Sequence, residues 1–326
     1  MAYVTLRDTA HVVPETVVTN DDLAKLMPTS DEWIQSHTGI KTRHVAVNEN
    51  TSQLAAKVGQ KLLAQTNVAP TDIDLIIVST ITPDSLTPST ACLVQAALGA
   101  TNAFAFDISA ACAGFIFGLT TAAQFLRSGQ YRRALVISAE TNTKMMDWQD
   151  RTTTVFFGDG AGGALLEATD DPAQESFIAA KLATDGAQHE TIESGKIAPL
   201  ATTTDAQHKP SLTPFTMQGR DVFTFATEVV PPHMQALLAA NHLTADDIDL
   251  YVCHQANLRI IEKIATTLQQ PMAKFATNVT TYGNTSSAGI PMALDQAIDH
   301  DFTRQRKVML TGFGAGLAYG SVILTL

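Results

Sequence analysis

The sequence predicts a layered α/β fold built from two related halves, and three observations carry that prediction. Apolar, strand-like runs alternate with helix-like stretches along the chain. Ile-Asp-Leu begins at Ile73 in TDIDLIIVST and again at Ile248 in ADDIDLYVCHQAN, an offset of 175. A second pair, RRALVISAE and RKVMLTGFG, aligns Arg133 with Arg306 at an offset of 173. Buried strands can resemble one another by chance, but here order and spacing agree, which favours duplication. The halves are expected at 1–172 and at 173–326, the second opening with a linker or cap.

The elements follow in chain order. TSQLAAKVGQKLLAQ (51–65) is helical and leads into the strand of TDIDLIIVST. AFDIS reads as a strand and AGFIFGLTTAAQFLRSG (113–129) as the helix after it. RRALVISAE is the next strand. GDGAGG (158–163) fits the dinucleotide pattern G-x-G-x-x-G literally, but a strand-like ALLEA follows instead of a helix, so it reads as a hairpin or a close backbone approach. The Thr- and His-rich stretch 184–214, with Pro199, Pro210 and Pro214, is expected to be a loop or cap. FATEVVPPHMQALLAANH (225–242) is helical, DLYVCH a strand, and SAGIPMALDQAIDH (287–300) a helix before the last two strands.

Composition narrows the class. With 326 residues, 45% hydrophobic and 16% charged, the chain can bury a large core. A net charge of −11 argues against a general nucleic-acid surface. The three cysteines, Cys92, Cys112 and Cys253, have no paired spacing, so neither a disulfide framework nor a zinc site is expected. MAYVTLRDTA lacks the basic-then-apolar pattern of a secretion signal, and no apolar run reaches bilayer length. The expectation is a soluble cytoplasmic protein without membrane insertion.

Cys112 lies among small residues, in ISAACAG, between a strand and a helix. It is open to two readings: an inert packed thiol, or a nucleophile favoured as thiolate by the helix start and a nearby His. Its backbone N–H could stabilise an oxyanion. Cys92 and Cys253 read as packing residues. His254 ends the strand DLYVCH, where α/β sheets build sites, although a lone His there is more often structural. Asn284 lies within TNVTTYGNTSSAG, the stretch of the second half that matches the place of Cys112 in the first; alone it could mark a turn. Symmetric halves could bring the three side chains to one crevice.

These motifs together have a familiar pattern. DEWIQSHTGIKTRH (31–44), AACAGF (110–115), FGDGAG (157–162), HQANLRI (254–260), YGNTSSAG (282–289) and GFGAGLAYG (312–320) span nearly the whole chain. In them the sequence resembles the β-ketoacyl-[acyl-carrier-protein] synthase III family of the thiolase superfamily. The resemblance implies a duplicated five-layer αβαβα fold and a homodimer. It implies an acyltransferase that starts fatty acid synthesis by condensing an acyl-CoA primer with malonyl-acyl-carrier protein, with no cofactor. The catalytic triad falls on Cys112, His254 and Asn284. An oxyanion donor falls at Gly314 or Ala315, with Phe313 shaping the pocket.

The resemblance also places CoA contacts at Trp33 and Arg151, and carrier-protein docking at Arg259, with Lys263 on the same helix face. The chain departs from the family at three places. His37 stands where relatives often have a stronger base, and Thr266 and Thr267 where some have lysines. Thr87 replaces a Phe that in relatives reaches the partner subunit's acyl tunnel, which suggests a primer longer or more branched than acetyl. Phe156 and Phe157 add bulk nearby. A polyketide-type starter synthase would share the triad and differ in acceptor or primer. A degradative thiolase would need a second Cys, which GFGAG lacks. A non-catalytic partner subunit commonly loses the nucleophile, and a papain-like hydrolase would lack the duplicated pattern.

Overall fold

The structure is a computed structural model that describes residues 2–200, 211–298, 300, 302 and 305–326. Five strands of the first half are β1 (Tyr3–Val12), β2 (Leu75–Ser79), β3 (Phe104–Ile108), β4 (Arg133–Glu140) and β5 (Gly160–Thr169). They form one sheet in the order β1-β5-β4-β2-β3. The second sheet uses β6 (Phe177–Thr184), β7 (Leu250–Cys253), β8 (Lys307–Gly314) and β9 (Ala318–Thr325), in the order β7-β8-β9-β6.

The two sheets share one plan. In the first, β1–β5 and β5–β4 pair antiparallel, and β4–β2 and β2–β3 pair parallel. In the second, β6–β9 and β9–β8 are antiparallel and β8–β7 is parallel. A single parallel bridge, Tyr251 to Phe275, stands where a fifth strand would continue. The duplication read from two sequence pairs is therefore visible in strand order and direction.

Helices α1 (Asp31–Thr38), α2 (Thr51–Thr66), α3 (Thr90–Leu98), α4 (Gly114–Arg127), α5 (Gly219–Glu228), α6 (Val230–Ala240), α7 (Leu258–Thr267) and α8 (Gly289–Ala297) complete the layers. α4 and α8 touch strands of both sheets and form the middle layer. α2 packs on the outer face of the first sheet and α6 on that of the second, giving αβαβα. Sheets covered on both faces need no polar alternation, and β4 is buried along its length after Arg133. The middle helices sit close. A Cβ on Gly114 would lie 1.8 Å from the Ser79 hydroxyl, and one on Gly312 2.8 Å from Ala113 Cα.

GDGAGG is a close approach and not a nucleotide turn. It runs into β5, and a Cβ on Gly162 would come 2.9 Å from the Met292 backbone nitrogen of α8. Three expectations need correction. The helix expected over 225–242 is two, α5 and α6, because Pro231 and Pro232 cannot donate back to the preceding turn. Cys92 is exposed, since α3 buries Thr90, Ala91, Val94 and Leu98 and turns Cys92 outward, where its sulfur accepts from Ser89 Oγ at 3.1 Å. The 184–214 stretch is not all loop. Gly186–Thr191 is a 3-10 segment, and Ile192–Glu193 pairs with Thr216–Met217. Pro210 lies outside the described residues.

Candidate active site

Cys112 sits in the 3-10 segment Ala111–Ala113, between β3 and α4. Ala111 adopts φ +46°, a left-handed conformation that lets the chain turn sharply from strand to helix. β8 closes over this corner: a Cβ on Gly314 would lie 2.8 Å from the Cys112 nitrogen, so only glycine fits. His254 follows β7, and its N–H donates to Thr311 O at 2.8 Å, extending the β7–β8 pairing by one residue. Its ring meets Phe313 edge-on, 5.1 Å between centroids.

Asn284 is fixed by the join between the halves. Its N–H donates to Phe156 O at 2.7 Å, and its carbonyl accepts from Gly158 N at 3.1 Å. Its side-chain Oδ1 accepts from Ser286 N at 2.8 Å. That bond assigns the amide orientation and leaves Nδ2 without a protein acceptor among the described residues.

These side chains meet at one cavity of about 370 Å³, a size typical of small-molecule sites. Cys112, His254, Asn284, Phe313, Gly314 and Ala315 all line it. So do Phe156, Phe157 and Trp33. Phe157 packs edge-on against Phe215, 4.7 Å away, which brings the 216–217 strand over the pocket. A larger neighbouring hollow shares Ile81, Ala111, Ile192, Phe215 and Ala315 with it.

Burial pushes the Cys112 thiol up to about 12, against the smaller favourable effect of Ser286 Oγ at 3.4 Å from the sulfur. Burial also pulls His254 down to about 3, so no imidazolium stands beside the thiol. Of the two readings left open by the sequence, burial favours the neutral thiol as the resting form of Cys112. Cys253 is buried as expected, its thiol also pushed up to about 12 by burial.

The mouth of the cavity carries the expected aromatic. The Arg151 guanidinium lies 5.1 Å from the centroid of Trp33, and Arg151 Nη1 donates to Pro28 O. His37 stacks on Trp33 at 4.4 Å. Arg259 and Lys263 are exposed on α7; Arg259 Nη1 pairs with Glu262 at 3.1 Å, and its Nη2 lies 3.4 Å from Ser36 O. Thr266 and Thr267 spend their hydroxyls on carbonyls of their own helix. Thr87 is exposed and lies outside the cavity of its own chain.

Ser286 and Phe215 were not anticipated. Ser286 sits inside a quoted motif, two residues past Asn284, and that spacing is the signal that could have found it. Phe215 follows the polar stretch and carries no local mark of a pocket residue.

Known proteins resemble this chain over nearly its whole length. The family model for 3-oxoacyl-[acyl-carrier-protein (ACP)] synthase III matches residues 106–186, and its C-terminal model matches residues 238–326. β-Ketoacyl-[acyl-carrier-protein] synthase III 1 of Lactiplantibacillus plantarum is 59% identical over 323 residues, covering 99% of this chain and 98% of that protein. The Lactococcus lactis subsp. lactis synthase III is 47% identical, with both chains covered in full. Among solved structures, the Aquifex aeolicus synthase III superposes with a TM-score of 0.90 at 37% identity, covering 99% of this chain and 100% of that one. A priming β-ketosynthase of the R1128 polyketide pathway superposes at 0.87 with 31% identity, covering 100% and 96%. With matching strand plan, motifs and full-length relatives, this chain belongs to the β-ketoacyl-[acyl-carrier-protein] synthase III family of condensing enzymes.

Proposed function

We propose that this acyltransferase starts fatty acid chains by joining a short acyl-CoA primer to malonyl-acyl-carrier protein. The observation that carries the reading is the convergence of Cys112, His254 and Asn284 on one cavity beneath Trp33. Cys112 Sγ attacks the primer's thioester carbon, the C–S bond to CoA breaks, and the thiol proton leaves with the CoA sulfur. Backbone N–H groups of Cys112 and of Gly314 or Ala315 hold the transient oxyanion.

Malonyl-carrier protein then enters and its carboxylate departs as CO2. The electron pair of the broken C–C bond becomes an enolate, whose oxygen accepts from His254 Nε2–H and Asn284 Nδ2–H. A neutral imidazole, with its proton on Nε2, suits this donation. The enolate carbon attacks the acyl-Cys112 carbonyl, and Sγ leaves and regains a proton. No cofactor enters the scheme: acyl-CoA is a substrate, and the carrier's phosphopantetheine arm delivers malonyl.

Trp33 and Arg151 hold the nucleotide end of CoA, and adenine enters beside the indole by displacing one of its stacked partners. Arg259 and Lys263 dock the acidic carrier, with His37 and the Glu262 pairing of Arg259 weakening that surface. The halves 1–172 and 173–326 make up one subunit, and two subunits form a homodimer, in which Thr87 reaches the partner's acyl tunnel and leaves room for primers beyond acetyl. Condensation assays with malonyl-carrier protein and with free malonyl-CoA test the reading. Turnover restricted to the carrier-bound substrate is expected; equal use of free malonyl-CoA would favour a polyketide-type starter synthase. In an acyl-CoA series, strict preference for acetyl would contradict the wider tunnel.

A further inference from the structure

The duplication gives Cys112, His254 and Gly314 counterparts in the other half. Cys112 is the middle residue of the 3-10 segment Ala111–Ala113 that precedes α4; Ser287 is the middle residue of Ser286–Ala288, which precedes α8. Ala111 and Ser286 share left-handed backbones, φ +46° and +51°. Gly314 ends β8 as Glu140 ends β4, and His254 extends β7 as Ser79 ends β2.

At the working corner Gly314 has no side chain, and a cavity opens beside Cys112. At the mirrored corner the position of Gly314 is taken by Glu140, whose carboxylate reaches Ser287, the counterpart of Cys112, and Glu140, Ser287 and Ser79 are all buried. The Glu140 carboxylate is fully engaged. Oε2 accepts from Thr80 Oγ1 at 3.1 Å, Ile81 N at 3.1 Å and Thr82 Oγ1 at 2.7 Å. Oε1 accepts from Ser287 Oγ at 2.7 Å. Four donors on a buried carboxylate make a stiff joint, because releasing any of them leaves a buried polar group unpaired.

That joint borders the active site. Ser287 is bonded in sequence to Ser286, whose N–H holds Asn284 Oδ1 at 2.8 Å and whose hydroxyl lies 3.4 Å from Cys112 Sγ. We propose that Glu140 is a positioning residue for the condensation step: from the mirror of the catalytic corner it clamps Ser287, and so fixes the Ser286–Asn284 turn that aims Asn284 Nδ2 into the cavity. The proposal rests on the role given above to Asn284.

The test separates the two half-reactions in the full-length enzyme. Cys112 acylation is read by intact mass after mixing with acetyl-CoA, and condensation by product formation from pre-acylated enzyme and malonyl-carrier protein. The variants are Ser287→Ala, Glu140→Ala, Glu140→Gln and Asn284→Ala. Gln keeps the size of Glu; its amide oxygen can take the three donors at Oε2 while its NH2 donates to a Ser287 hydroxyl turned to Ser79 O, now 3.3 Å away. Misplacing a reacting group by about 1 Å can cost ~100-fold, so condensation is expected to fall roughly 10- to 100-fold in Ser287→Ala and Glu140→Ala. Acylation stays within about threefold, and Glu140→Gln recovers most of the loss.

Ser287→Ala condensing at the wild-type rate while Asn284→Ala does not would overturn the positioning role alone. Proportional loss of both half-reactions would also overturn it. Undiminished condensation in Asn284→Ala would instead overturn the role of Asn284 and the proposal with it. Should Glu140→Ala fail to fold, Ser287→Ala and Glu140→Gln still decide.

Discussion

Burial sets the resting protonation of Cys112 and His254, and this has a measurable consequence at the residue scale. With the Cys112 thiol pushed up to about 12 and His254 held down to about 3, the pair rests as thiol and neutral imidazole. A raised thiol pKa means that the thiolate fraction keeps growing, about tenfold per pH unit, through the range where an ordinary Cys has already saturated. Iodoacetamide alkylation of Cys112 should therefore climb log-linearly from pH 7 to 10. A plateau near pH 9 would show an ordinary thiol, and one below pH 7 an activated thiolate. On the proposed mechanism, His254→Ala and Asn284→Ala each remove one enolate donor. Each should lower decarboxylative condensation on the order of 100-fold or more while leaving an acyl-Cys112 adduct detectable. Loss of the adduct in both variants would assign them to acyl transfer instead. Cys112, His254 and Asn284 were legible in the sequence as candidates for one crevice, and they do line one cavity. Their protonation was not, because desolvation depends on packing contributed by both halves.

At the scale of elements, the strands that carry the site were readable, whereas β1 and β6 were not. β2, β4 and β8 are near-continuous apolar runs because both faces are covered. β1 and β6 sit at sheet edges with charged or small residues in YVTLRDTAHV and FIAAKLAT, and their apolar signal is diluted. The strand pair at 192–193 and 216–217 is too short to announce itself, yet it places Ile192 and Phe215 on the cavity wall. The turn from β8 packs closely on the Cys112 corner. Gly314→Ala would put a methyl 2.8 Å from the Cys112 nitrogen, so β8 or the Cys112 corner must move. Overpacking of this kind costs about 1–3 kcal/mol, and thermal denaturation should show it together with slowed acylation. Unchanged stability and acylation would mean that the corner yields freely.

Over the whole molecule, duplication explains why the residues that meet at the cavity come from distant parts of the sequence. Cys112 enters from the first half, His254 and Asn284 from the second, and the parallel bridge from Phe157 to Asn284 ties the halves at the pocket. Assembly adds a further level. If Thr87 reaches a partner's tunnel, the chain sediments as a dimer, and Thr87→Phe narrows primer use towards acetyl-CoA. An unaltered primer profile in Thr87→Phe would remove Thr87 from the tunnel. The central claim is that an acyl group is carried on Cys112, and peptide mass spectrometry after mixing the enzyme with acetyl-, butyryl- and octanoyl-CoA tests it most directly. The account predicts an acyl adduct on the peptide containing Cys112 that is absent in Cys112→Ala. An adduct that persists in Cys112→Ala, or maps to another residue, would contradict it.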